Sequence, residues 1–389
     1  MRVLVTDGDE RAALAATRSL GRAGTAHVVG TGLQSLAGVS RFASSYHRVV
    51  SPYADSAGFA ARISDLSREL GIEAVLPISD AACRALLSRR LELPGVVVAP
   101  SLEVYERLSD KESALQLARE TGILTPRSHR ASSPEEAVRA ADEIGWPVIL
   151  KPVSSIATVA PGVLRKTRVS RVDDAAALQR AWHEQVGSGA ALVQELVPGR
   201  GEGLFYLRSR GRTLAVFAHR RLREKPPAGG VSVLRESIAV DPELASRVEK
   251  ILESVGLDGV AMAEFRRDGA TSRLMEFNVR LWGSVQLAID AGIDFPRLLV
   301  ESSLGSEVAA VARYDTGVRS RWLLGDVDHA LALARGQGDA TGLRAIARAA
   351  GVLFRPTGPR SRLEVLRSDD LRPFVHELRM WLAALVRRG

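Results

Sequence analysis

Val260-Ala261-Met262-Ala263-Glu264-Phe265 and Leu274-Met275-Glu276-Phe277-Asn278-Val279-Arg280 are two short apolar stretches, each interrupted by an acid. They read as the arms of a hairpin, Gly259 to Arg266 and Ser272 to Asn278. Successive side chains of a strand point to opposite faces, so Glu276, Asn278 and Arg280 share one face while Phe277 and Val279 take the other. Antiparallel pairing then brings Glu264 beside them. Two carboxylates and an amide oxygen with no soft ligand form a donor set for a hard divalent cation, Mg2+ or Mn2+. Arg280 adds a fixed fork of donors suited to phosphate or carboxylate. Leu281-Trp282-Gly283 continues the apolar setting, which separates this pattern from an ordinary solvated hairpin.

Upstream, Pro147-Val148-Ile149-Leu150-Lys151-Pro152 reads as a strand ending in lysine, followed by a polar, glycine-poor loop from Val153 to Pro161 and a strand from Leu164 to Ser170. A helix from Asp173 to Val186 precedes the strand Ala190 to Glu195, and antiparallel strands follow near Gly203 to Ser209 and Thr213 to His219. The stretch from His219 to Ser232 is basic and rich in Pro and Gly, and reads as a loop. Asp110 and Ser133 are placed as helix caps, with Pro134, Glu135 and Glu136 completing a first-turn signature.

Residues 1 to 98 alternate short apolar runs with helical patterns, which predicts a parallel sheet with helices on both faces. The first turn, Thr6-Asp7-Gly8-Asp9-Glu10, lacks the glycines of a dinucleotide fingerprint, so this Rossmann-like unit is expected to be a scaffold or substrate wall. Boundaries fall near 105, 188 and 310, giving segments 1–105, 106–188, 189–310 and 311–389. The last segment reads as a mostly helical extension that either closes the site or supports a homodimer, on the evidence of Trp322 to Asp326 and the amphipathic pattern Phe374 to Val386.

Composition narrows the function classes. Hydrophobic residues at 46% and charged ones at 25% exclude disordered and fibrous chains. No run approaches the ~18 apolar residues of a membrane span, and Asp7 in the opening MRVLVTD does not suit a secretory signal, so no membrane partner and a cytoplasmic protein are expected. Cys83 is the only cysteine, which rules out an intrachain disulfide and a cysteine-based zinc site. The net charge of +8 is spread over helix surfaces, aromatics are only 5%, and no nucleic-acid partner is expected. Only Lys111, Lys151, Lys166, Lys225 and Lys250 are lysine, which directs attention to each of them.

Glu264 followed by Glu276-Phe277-Asn278-Val279-Arg280 resembles the paired acid and E-x-N-x-R signature of the ATP-grasp superfamily, the ATP-dependent carboxylate-amine ligases and their relatives. The resemblance extends over roughly residues 105 to 305 and implies an ATP-grasp fold of two α+β subdomains, 106–188 and 189–310. It implies that Lys111 and Lys151 touch ATP phosphates, that Gln194-Glu195-Leu196-Val197 reads adenine, and that Glu202 holds the ribose. The family often has a glycine-rich loop after the second lysine, whereas this chain offers the hydroxyls of Ser154, Ser155 and Thr158. Glu264, Glu276 and Asn278 would hold the metal ion.

What the resemblance implies chemically is a C–N ligase. A small carboxylic acid, such as an amino acid, is activated as an acyl phosphate, an amine displaces phosphate, and Arg280 steadies the developing oxyanion with Lys151 as the second catalytic cation. Arg220 and Arg223 are expected to clamp a substrate carboxylate, Gly229-Gly230 to let backbone approach or a lid hinge, and Trp282 to line the acceptor pocket or pack in the core. Bicarbonate activation, simple phosphoryl transfer and a non-catalytic ATP-binding protein stay open as alternatives.

Overall fold

The computed structural model describes residues 1–387 apart from 188, 228, 338–340, 355 and 356. The chain opens with β1 (Arg2–Val5), α1 (Arg11–Ala23), β2 (Thr25–Gly30), β3 (Ala43–Arg48), α2 (Ser56–Leu70), β4 (Ala74–Leu76), α3 (Asp80–Leu87) and β5 (Val96–Val97). These strands form one parallel sheet in the order β3-β2-β1-β4-β5. Val3, Leu4 and Val5 are fully buried, as a strand covered on both faces requires. β3, read as no element from sequence, is a polar edge strand whose pattern ASSYHR carries no apolar signature.

Two helices follow, α4 (Leu102–Ser109) and α5 (Lys111–Glu120), and Asp110 ends one and caps the other by accepting from the Ser113 amide. A four-stranded antiparallel sheet is built from β6 (Ser128–Ala131), β7 (Val148–Pro152), β10 (Ser170–Val172) and β11 (Ala191–Glu195), in the order β10-β7-β11-β6. Its helices are α6 (Pro134–Ile144), capped by Ser133, and α7 (Ala175–Gln185). Between β7 and β10, β8 (Ile156–Ala160) and β9 (Val163–Lys166) pair as a hairpin. The segment expected to be an open loop is therefore ordered. β-Branched Ile156, Thr158 and Val159 favour extended backbone, and Gly162 takes the positive φ of 75° that the turn needs.

The largest sheet has seven strands: β12 (Arg200–Ser209), β13 (Arg212–Lys225), β14 (Val231–Ile238), β15 (Gly259–Asp268), β16 (Thr271–Asn278), β17 (Arg319–Arg321) and β18 (Ser361–Leu363), in the order β16-β15-β12-β13-β14-β17-β18. β13 runs to Lys225 and pairs with β14, so residues 219 to 225 are strand rather than loop. One face of this sheet carries Leu204, Tyr206 and Phe265 against Val248, Ile251 and Leu252 of α8 (Pro242–Ser254). The other carries Phe205, Leu207, Phe217 and Met262 in one apolar cluster with Leu14 of α1, Val285 of α9 (Val285–Asp290) and Leu299 of α10 (Phe295–Ser303). Each such side chain stabilises the fold by ~1.5–3 kcal/mol on burial.

α11 (Leu323–Ala334), α12 (Gly342–Phe354) and α13 (Arg372–Val386) complete the chain. Before α13, the segment around β18 locks the first helix to the sheet. Arg18 of α1 is fully committed, donating to the Asp370 carboxylate at 2.9 Å and to the carbonyls of Glu364, Val365 and Asp370. Glu364 is buried between Arg11 and Arg235, each at 2.5 Å.

Candidate functional site

The alternation expected of the hairpin is observed. Glu264 of β15 stands opposite Glu276 of β16, and Met262 opposite Asn278. The same row continues across Gly203 to His219. The Asn278 amide nitrogen donates to Glu276 Oε1 at 3.3 Å, which leaves its Oδ1 available. Burial pushes the Glu264 carboxyl above its usual range; Arg221 opposes this and the facing Glu276 adds to it. Facing carboxylates in a partly desolvated cleft repel, and a hard cation relieves that repulsion, so these oxygens fit a magnesium-like ion.

Both selected lysines arrive here from other elements. Lys111, at the start of α5, is buried, with Nζ 3.9 Å from Glu276 Oε2 and 3.4 Å from Ser155 Oγ. On β7, Val148 and Leu150 enter the small sheet's core, so alternation turns Lys151 to the opposite face and into the cleft, beside Leu192 of the paired strand. Burial pulls the Lys151 ammonium below its usual pKa, Glu276 and Glu264 hold it up, and Lys111 pulls it down. Two cations and two acids thus share one desolvated space.

Gln194 lies on the same face of β11 as Leu192, buried, its amide donating to Ser128 Oγ at 3.0 Å. Glu195 at the strand end is held by Arg127 at 2.9 Å and lies 3.7 Å from Arg273; Leu196 is exposed and Val197 buried. Ser154 Oγ accepts from the Ile156 amide within the entry to the β8–β9 hairpin. That hairpin reaches across to the N-terminal sheet unit, where the Ser56 amide donates to Gly162 and the Leu164 amide to Tyr53.

Several expected residues lie elsewhere. Glu202 points to the α8 side of β12, bound by Arg267 at 2.7 Å, because a one-residue offset in a strand reverses the face. Gly201 faces the cleft instead, and Arg221 fills the space its side chain would take, with Cδ 2.6 Å from an added Cβ. Arg220 also faces away, paired with Glu236 at 2.5 Å, and Arg223 is paired with buried Asp326 at 2.6 Å. Trp282 is core rather than pocket wall, 4.3 Å from the Phe205 ring and 5.0 Å from Phe295. Arg280 lies just past the end of β16, its Nη2 at 2.9 Å from Asp80 of α3, which also accepts from the Tyr105 hydroxyl at 3.0 Å. Gly229 and Gly230 have positive φ just before β14, and the Gly229 amide donates to the Pro226 carbonyl; Ala228 lies outside the described residues.

Sequence reasoning missed Arg221, which binds Glu264 at 2.6 Å and Glu224 at 2.9 Å. Extending the alternation of Phe217 and His219 by one step would have found it. His219 is buried, stacked on Phe205, with Nε2 at 3.0 Å from Ser284 Oγ; burial first, then Arg221 and Arg235, depress its pKa and keep the ring neutral.

A family model described as "ATP-grasp in the biosynthetic pathway with Ter operon" matches residues 190–325, the stretch that carries β12 through β16. Over this stretch the chain is similar to the ATP-grasp superfamily. The D-alanine–D-alanine ligase of Acidiphilium cryptum strain JF-5 is 24% identical over 267 residues, which is 62% of this chain and 86% of that enzyme. The ATP-grasp architecture is shared with the biotin carboxylase domain of Hydrogenobacter thermophilus 2-oxoglutarate carboxylase, solved with MgADP and bicarbonate, at a TM-score of 0.64 and 18% identity over 82% of this chain and 73% of that one. An L-amino acid ligase from Bacillus licheniformis aligns at a TM-score of 0.60 and 17% identity, covering 79% of this chain and 75% of that one. Among the described residues, no helix is long and apolar enough to cross a membrane.

Proposed function

We propose that this protein is an ATP-dependent carboxylate-amine ligase that forms an amide or peptide bond through an acyl phosphate. The observation that carries the reading is the convergence of Glu264, Glu276 and Asn278 with buried Lys111 and Lys151 in one cleft. In this reading, residues 1–105 form an N-terminal unit, 106–188 and 189–310 the two ATP-grasp subdomains, and 311–389 an extension that builds on the large sheet.

Lys111 and Lys151 neutralise the ATP phosphates, and their burial makes each charge more effective than it would be in water. Gln194 to Val197 border the adenine. Glu264, Glu276 and Asn278 would hold the magnesium ion, which supplies charge neutralisation at the β- and γ-phosphates. A carboxylate oxygen of the acid attacks the γ-phosphorus, the bond from that phosphorus to the β,γ-bridging oxygen breaks, and ADP leaves. The amine nitrogen then attacks the acyl carbon, the C–O bond to phosphate breaks, and the amine proton passes to phosphate or water. Arg280, kept in place by Asp80 and with its Nε unpartnered among the described residues, offers a donor to the oxygen that gains charge. Arg221 fixes the Glu264 carboxylate.

The test is release of ADP and phosphate from MgATP with acids and amines offered singly and in pairs, with mass spectrometry of the products. ADP that appears only with a pair, and a product equal to their sum less water, is the expected result. ADP release driven by bicarbonate alone would replace the amine with a carboxylating reaction, which the bicarbonate-bound likeness makes worth including.

A further inference from the structure

Beyond the phosphate cleft, a cavity of about 1470 Å³ opens between the loops that end β1 and β2 and one face of α13. Arg372, Val375, His376, Arg379 and Met380 line it at the i, i+3, i+4, i+7, i+8 spacing of a single helical stripe. The opposite wall is the Thr31–Gln34 loop with Asp9 and Glu10, and the floor is Trp322. The Trp322 indole donates to Glu377 at 2.7 Å and lies beneath the Arg11 guanidinium, 4.0 Å from its ring centre.

Two connections join this cavity to the reacting centre. Arg11 lies 3.5 Å from the place a side chain on Gly283 would occupy, three residues past Arg280. Val231 lines the cavity, and the carbonyl of the preceding Gly230 accepts from Arg221, the partner of Glu264.

The lining is mixed in a specific way. Leu33, Leu371, Val375 and Met380 are exposed at 85%, 53%, 43% and 56%, an apolar rim with nothing packed on it among the described residues. Arg372 and Arg379 make no ion pair or hydrogen bond among the described residues and sit about 10 Å apart along α13. Asp9 and Glu10 supply negative charge from the facing loop. Pockets for small ligands hold about 300–1,000 Å³, so a single amino acid, whose one carboxylate can meet one arginine, would leave most of this space and the second guanidinium unused. A fatty acid would engage an arginine but bring apolar chain against Asp9 and Glu10. A short peptide supplies apolar side chains, a carboxylate and an ammonium group together.

We infer that one of the two substrates of the ligase is a short peptide with apolar side chains, seated between α13 and the β1 and β2 loops with its carboxylate toward Arg372 and Arg379. The inference rests on the ligase reading, and it differs from the amino-acid-sized acid expected from sequence.

Calorimetric titration of the full chain, with MgADP present, tests it using leucine, trileucine and decanoate as probes. Trileucine is expected to bind saturably and at least tenfold more tightly than leucine. The Arg372→Ala, Arg379→Ala double variant should weaken trileucine at least tenfold, with nucleotide affinity measured on the same sample as the folding control. Val375→Glu, at an exposed position on the same stripe, should weaken it as well. Absence of trileucine binding, equal affinity for leucine, or tighter binding of decanoate that ignores both arginines would each overturn the inference. Trileucine binding without ADP release from any acid and amine pair would leave the cavity's ligand standing and remove the ligase reading. ADP release with single amino acids and no peptide binding would do the reverse.

Discussion

Lys111, Lys151, Glu264 and Glu276 come from four elements and meet in a space that water only partly reaches, so each charge depends on the others. Glu276→Gln keeps the volume and removes one charge. It is expected to lower ADP release at least 100-fold, on the order expected for loss of a preorganised charged group, while the melting temperature stays near wild type; full activity in that variant would remove the metal role. Lys151→Ala should weaken MgATP by ~10-fold to ~100-fold, since a charge-assisted hydrogen bond contributes about 1.5–3 kcal/mol. An unchanged nucleotide dissociation constant would argue against the phosphate contact. At this scale the sequence was readable where side chains two apart on one strand made a pattern, as for Glu276 and Asn278. The Asp80 partner of Arg280 had no such signal, because the two residues are 200 positions apart and meet only through tertiary packing.

β13 shows what an unrecognised strand does to assignments. Once residues 219 to 225 are strand, Arg221 belongs to the cleft and Arg220 to the far face. Arg221→Ala should therefore abolish turnover, whereas Arg220→Ala, at an exposed guanidinium whose buried partner Glu236 keeps Arg319 at 2.7 Å, should change stability by no more than ~1 kcal/mol and leave kcat within twofold. Equal losses in the two variants would refute the strand register. The turn before β12 carries a second element-scale prediction. Gly199 has φ of 93°, and a Cβ there would lie 2.1 Å from the Arg267 carbonyl oxygen. Gly199→Ala should destabilise the protein by more than ~1 kcal/mol, read as a lower denaturant midpoint. Elements with caps and apolar periodicity, such as α5 after Asp110 and α6 after Ser133, were legible in the sequence. β3, β17 and β18 were not, since short strands at or next to a sheet edge with polar or basic residues take their structure from their neighbours.

In the whole molecule, the segment around Glu364 and Asp370 ties the first helix to the large sheet. Burial alone would raise the Glu364 carboxyl, but Arg11 and Arg235 outweigh it and hold the pKa below the usual 4.5. A group depressed in the folded state stabilises above its unfolded pKa and loses that contribution as pH falls through the folded value. Glu364→Gln should thus be less stable than wild type at neutral pH, with the gap constant down to about pH 4.5 and narrowing below it in pH-dependent thermal unfolding. Asp370→Ala leaves Arg18 buried without its counterion and should cost about 3–5 kcal/mol. During synthesis Arg18 of α1 is made about 350 residues before these acids, at intervals of 346 to Glu364 and 352 to Asp370. A ribosome-bound chain that already contains every residue of the phosphate cleft still lacks the carboxylates that let α1 settle. The N-terminal unit is therefore expected to remain protease-sensitive on nascent chains until translation has passed Asp370, so that a chain interrupted earlier would be recognised and degraded before it could bind and consume ATP.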